Sequence, residues 1–173
     1  GFAPDEWDSL FKHLKGKGFT EEELNTAGLI KEGSKGFIDR YRNWLIWPVK
    51  NLTGDIVGFG ARKLASDEVD QGPKYLNTAE TPIYKKSQLL YGLDMAKKEI
   101  AKKRQVVIVE GYTDVTAMHQ AGIENVVASG GTSLTTDQLR LIRKYTNNLT
   151  IIYDGDAAGI KAALRGLDLA IEE

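Results

Sequence analysis

Val106-Val107-Ile108-Val109 is an unbroken run of branched apolar residues between Gln105 and Glu110. It is too short for a helix and lacks the alternation of a half-exposed strand, which predicts a strand buried on both faces. Leu149 to Tyr153 reads the same way, and Asn125 to Ala128 supplies a third, shorter strand. Helical patterns fill the intervals. One runs to about Ala121 and is stopped by Gly122, one opens at Thr135 with Gln138 three residues on, and one runs from Ala157 to the last residue. Strands alternating with helices of this length predict a parallel sheet with right-handed crossovers.

The first hundred residues follow another pattern. Pro4 before Asp5-Glu6 predicts the first turn of a helix reaching about Lys15. A second helix starts at Thr20, where Thr20 and Glu23 form a capping-box pattern, and Gly28 closes it. Trp44 to Val49 predicts a strand, Leu52 to Asp55 a turn, and Ile56 to Arg62 the returning strand. Gly58 and Gly60 leave one face of that strand bare, open to another backbone or a ligand. Residues 64–87 are polar, broken by Pro73 and Pro82, and read as an ordered loop; a basic amphipathic helix then runs from near Gly92 to Lys103. The expected class is α/β with a mixed α+β lead-in. A helical/β subdomain over 1–103 precedes a parallel-sheet domain with flanking helices over 104–173.

Composition narrows the chemistry. Among 173 residues there is no cysteine, which excludes a disulfide framework and a thiolate zinc site. His13 and His119 lack ligand spacing, and no apolar run approaches the roughly 18 residues of a membrane-spanning helix. The net charge of −1 hides an uneven distribution, since residues 31–104 carry 15 Lys/Arg against 9 Asp/Glu while both flanks are acidic. A basic middle beside an acidic end suits a surface where phosphates and metal ions meet. Trp44, Trp47 and Phe59 read first as core residues, although such rings can stack bases. Lys97, Lys98, Lys102, Lys103 and Arg104 read as solvated side chains.

Ligands bind beyond the carboxyl ends of parallel strands, and two strands here end in acids. Val109 runs into Glu110-Gly111, and Tyr153 runs into Asp154-Gly155-Asp156. Hard oxygen donors gathered at one sheet edge without histidine or cysteine suit Mg²⁺. Asp114 stands one helical turn beyond Glu110 and could point to the same spot, but an acid there commonly caps the following helix.

Glu110-Gly111-Tyr112-Thr113-Asp114-Val115 and Tyr153-Asp154-Gly155-Asp156-Ala157-Ala158-Gly159 resemble the two leading motifs of the Toprim domain, in the form found in bacterial DnaG-type primases. Gly1 to Pro4, Trp44 to Pro48, Gly58 to Arg62, Lys74 to Asn77, Thr81-Pro82 and Tyr91 to Leu93 are similar to primase-core segments in the same order. The resemblance implies a Toprim-like fold for the parallel-sheet part and joining of ribonucleotides on a single-stranded DNA template. It implies Glu110, Asp154 and Asp156 as catalytic and Mg²⁺-binding residues, with Mn²⁺ able to substitute and Asp114 assisting. It places Arg62, Lys74, Tyr75, Asn77, Lys85 and Lys86 in a groove for DNA and nucleotide, with Arg42 and Arg40 as weaker members. Ser129-Gly130-Gly131-Thr132 is a weak candidate for a phosphate contact.

The resemblance also implies ribonucleoside triphosphates as substrates, a zinc-binding domain separate from this chain, and a replicative helicase bound through a further C-terminal domain. The setting it implies is the bacterial cytoplasm at the replication fork, without a membrane. A third acidic motif of the family is expected beyond residue 173, so the chain alone is expected not to synthesise primers. Two other readings stay open: a Toprim topoisomerase or nuclease, and a nucleic-acid-binding module whose carboxylates only cap helices.

Overall fold

The computed structural model describes all residues except 35, 67, 69, 70 and 132. The chain forms β1 (Phe2–Ala3), α1 (Ser9–Gly16), α2 (Glu21–Thr26), β2 (Ile30–Gly33), β3 (Gly36–Asp39), β4 (Trp44–Lys50), β5 (Ile56–Lys63) and β6 (Tyr75–Asn77). A single 3₁₀ turn (Lys86–Gln88) leads to α3 (Leu93–Lys103), β7 (Val106–Val109), α4 (Tyr112–Gln120), β8 (Val126–Ala128), α5 (Thr136–Arg143), β9 (Leu149–Ile151) and α6 (Ala157–Glu172). These make the mixed α/β class expected.

Two compact units divide the chain. One comprises Gly1–Val49 with Ile56–Tyr84, the other Lys50–Asp55 with Lys85–Glu173. The first compact unit ends at Tyr84 because α3 packs with the parallel sheet. Leu93, Ala96 and Ile100 lie buried in the same core as Val106, Ile108 and Val127. The 50–55 turn joins that unit through Leu52, which packs on this core and whose carbonyl accepts from Lys97 Nζ at 2.7 Å. Lys97 is therefore anchored and not simply solvated.

In the first unit the sheet order is β1-β4-β5-β6, with β2 and β3 as a separate antiparallel pair. Tyr41, Trp44 and Ala61 form the core, with Ile46, Phe59 and Leu76 against it. Trp44 and Phe59 are thus packing residues. The bare face at Gly58 is filled by the Tyr84 ring, which a Cβ at residue 58 would meet at 3.0 Å. That position serves packing.

The helix expected from Pro4 begins only at Ser9. Phe2 and Ala3 pair with Leu45 and Trp44 and hold the chain extended. Asp8 makes no side-chain cap at the start of α1. Asp39 does the work from β3: its carboxylate accepts from Leu10 N at 2.8 Å, Phe11 N at 2.9 Å and Ser9 Oγ at 3.3 Å. Helix α2, by contrast, carries the expected capping box, Thr20 with Glu23.

In the second unit the order is β8-β7-β9, all parallel. The strand β7 lies in the middle, with alternate residues facing two cores. Val106 and Ile108 face one, while Val107 and Val109 face the other. No helix among the described residues is long and apolar enough to cross a membrane.

Asp39 is 2% exposed, so truncating it strands part-buried N–H donors at the start of α1. Asp39→Ala is expected to lower stability by about 1–3 kcal/mol, read as a lower urea midpoint with an unchanged denaturant slope.

Candidate active site

The strands β7 and β9 run side by side with Ile108 opposite Ile151, so the residues after them emerge at one edge. Glu110 stands there half-buried and Asp154 exposed. Glu110 Oε1 accepts the backbone N–H of Asp154 at 3.1 Å. That bond fastens a carboxylate from one strand end to the main chain of the other.

Gly159, in the first turn of α6, completes the arrangement. A Cβ there would lie 2.2 Å from the Asp154 carbonyl oxygen and 2.9 Å from Glu110 Oε1. Only glycine lets the helix lie this close. The Gly159 N–H donates to Asp156 Oδ1 at 2.7 Å, making Asp156 the N-cap of α6. Asp114 Oδ2 likewise accepts from Gly111 N at 2.9 Å and closes the first turn of α4.

The edge therefore brings Glu110 and the Asp154 segment together, while Asp156 and Asp114 spend an oxygen on helix starts. Among the described residues no three His, Asp or Glu side chains gather to hold a metal ion. The Tyr153 hydroxyl is buried and meets no partner in hydrogen-bonding geometry among the described residues. Burial is the main cause that raises its phenol above the usual tyrosine range, tempered by Ser129 and reinforced by the Glu110 carboxylate. In the turn after β8, Gly130 and Gly131 have φ of +71° and +82°, and Thr132 lies outside the described residues.

The cationic residues fall into two sets. In the first unit Arg62 on β5 pairs in register with Tyr75 on β6. The Arg62 guanidinium carbon stands 5.8 Å and Lys74 Nζ 5.9 Å from the centre of the Tyr75 ring, which is 48% exposed. Asn77 closes the same strand opposite Gly60. Arg42 lies over the Trp7 ring at 3.4 Å, and Arg40 Nε is buried without a partner among the described residues. In the second unit Lys85 is exposed and immediately precedes the 3₁₀ turn, which Lys86 opens half-buried.

Three residues at these surfaces carry roles the sequence pattern did not assign. Trp7 is 62% exposed beneath Arg42. Lys63 is buried, donating from Nζ to Gly72 O at 2.8 Å and from its backbone to Lys74 O at 3.1 Å, which steadies the approach to Lys74. Gly159 belongs to the quoted motif, but only packing reveals its closeness to Glu110. None of the three was available in sequence, since Trp7 and Arg42 meet only through the fold.

The model of the N-terminal domain of the DNA primase catalytic core matches residues 1–97, and a Toprim-like model matches residues 107–173. A DNA primase of Streptomyces coelicolor is 51% identical over 173 residues, covering 97% of this chain and 27% of that relative. The chain thus spans about a quarter of the length of such relatives. The RNA polymerase domain of Mycobacterium tuberculosis primase DnaG is similar with a TM-score of 0.89 and 48% identity, over 97% of this chain and 56% of that one. A DnaG primase catalytic domain bound to single-stranded DNA is similar with a TM-score of 0.86 and 40% identity, over 98% of this chain and 52% of that one.

Adding one methyl group at the crowded start of α6 tests the close approach. Gly159→Ala is expected to destabilise the second unit by about 1–3 kcal/mol, as overpacking does, because the obstructing atom is backbone. Thermal unfolding followed by circular dichroism checks it, with Gly155→Ala, where a Cβ would meet nothing within 4 Å, as the control.

Proposed function

Since the chain belongs to the family of the DNA primase catalytic core, we propose that it serves template-directed synthesis of RNA primers from ribonucleoside triphosphates on single-stranded DNA. The observation that carries this reading is the strand-end pair: Glu110 held to the main chain of Asp154 at the carboxyl edge of parallel strands, where such sheets bind ligands.

Mg²⁺ fits the donor set in kind, since every candidate ligand is a carboxylate. With no three acids gathered among the described residues, Glu110, Asp154 and Asp156 would hold the ion as part of a site. When bound, such an ion neutralises triphosphate charge and favours ionisation of an attacking hydroxyl. The chain's own residues do the positioning. Glu110 keeps one oxygen on the Asp154 N–H and Asp156 keeps one on the Gly159 N–H, which fixes both carboxylates against the backbone.

Cationic residues of each unit are offered to the template strand. Arg62 and Lys74 flank the exposed Tyr75 ring, and Arg42 covers Trp7. Cations beside exposed rings suit a polyanion with bases to stack. Asn77 adds to that set in the first unit, and Lys85 and Lys86 offer phosphate contacts of their own in the second.

The capping bonds of Asp114 and Asp156 favour, at those two positions, the reading of a binding module whose acids only start helices. Calorimetric titration with Mn²⁺ separates the two: binding that Asp154→Asn abolishes supports the catalytic reading, and no binding supports the module.

In the full-length protein, Glu110→Gln or Asp154→Asn is expected to lower primer synthesis at least about 100-fold, the scale of losing a positioned catalytic group, with oligonucleotide binding kept. Primer synthesis at the normal rate in either variant overturns the assignment. Arg62→Ala is expected to weaken oligonucleotide binding and to reduce the slope of log affinity against log salt by about one, as loss of one phosphate contact does.

A further inference from the structure

Gln138 is 0% exposed, and a buried amide is tolerated only when its hydrogen bonds are met. Its oxygen accepts from Thr135 N at 3.1 Å, which is the capping-box bond of α5. Its nitrogen faces away from that cap. Gln138 Nε2 donates to Lys86 O at 3.0 Å and to Leu89 O at 2.7 Å. The neighbouring residues join in: Thr135 Oγ1 donates to Ser87 O at 2.6 Å, and Gln88 Nε2 donates to Asp137 Oδ2 at 3.3 Å. Four bonds across about fifty residues of sequence thus tie the 86–89 segment to the first turn of α5.

The apolar core needs none of this to hold the segment down. Leu90 lies in that core at 2% exposure. What hydrogen bonds to three carbonyls of one short turn, those of Lys86, Ser87 and Leu89, add is a fixed backbone orientation, because each constrains angle as well as distance. The residues whose orientation is set are Lys85 and Lys86.

We propose that Gln138 is a positioning residue for the phosphate-binding lysine Lys86, using the second half of its amide to aim the backbone that carries it. The inference rests on the nucleic-acid-binding reading of Lys86. It assigns one side chain two tasks: the oxygen starts α5, and the nitrogen orients the lysine segment.

The test is a double-mutant cycle on binding of a fluorescein-labelled single-stranded oligonucleotide by this chain, with urea unfolding measured in parallel. Gln138→Met keeps the length and removes the amide donors together with the oxygen that caps α5, so the urea data read the lost cap and the Lys86→Ala background isolates the positioning effect. It is expected to weaken binding about three- to tenfold, within the coupling range of residues in one network. In a Lys86→Ala background the same substitution is expected to change binding less than about twofold, since a positioning effect has then lost its object. Wild-type affinity in Gln138→Met, or an undiminished loss in the Lys86→Ala background, overturns the proposal. Should Gln138→Met not fold, the cycle is run with Thr135→Val, which removes the Ser87 bond from the same clamp, under the same two criteria. If Lys86→Ala alone leaves binding unchanged, it is the phosphate-contact reading of Lys86 that fails; if Lys86→Ala weakens binding and Gln138→Met does not, the positioning role fails by itself.

Discussion

The four-residue strand β7 is the constraint on which the second unit depends. It is paired in parallel on both sides, by β8 and β9, so its backbone polar groups are met by neighbours. Its side chains are then free to be apolar throughout, and they are, with Val106 and Ile108 at 0% exposure. Pleating sends alternate residues to opposite faces, which is why one short strand nucleates two cores. A polar residue anywhere in it would face a dry interior. The first position where the chain can carry charge is Glu110, just past the carboxyl end, and parallel pairing puts the end of β9 beside it.

At that edge, helix starts and candidate chemistry compete for the same oxygens. The opening N–H groups of α4 and α6 need acceptors, and Asp114 and Asp156 provide them. Glu110 is different, because its bond crosses from one strand end to another. The capping bonds leave each carboxylate with an oxygen to spare while limiting where it can point. That combination of restraint and residual valence suits a site that works by placement and electrostatics.

Buried polar side chains do the long-range tying elsewhere. Asp39 starts a helix from a strand about thirty residues away, Lys63 reaches Gly72, and Gln138 reaches the 86–89 segment. Each meets its bonds internally, as burial of such groups demands, and each stands behind a segment that carries cationic or aromatic side chains or a helix end. Apolar packing sets the distances in this protein, and these polar clamps set the directions.

The sequence by itself determined the elements whose signals are local. The strands β7 and β8 followed from unbroken branched runs, the starts of α2 and α5 from their capping boxes, and the β4–β5 hairpin from its turn residues. The strand β9, expected to be buried from Leu149 to Tyr153, instead stops at Ile151, is half-buried throughout and leaves Ile152 50% exposed. The motifs around Glu110 and Asp154 also carried the family. Tertiary structure alone decided the rest. The start of α1 moved to Ser9 because β1 pairs with a strand some forty residues on. The β2–β3 hairpin was not legible because its two strands, Ile30–Gly33 and Gly36–Asp39, are too short for a period to show. The division after Tyr84 came from α3 packing on a sheet that follows it in sequence. The roles of Gly159, Lys63 and the far side of Gln138 depend on which distant backbone they meet, and no spacing along the chain encodes a contact of that kind.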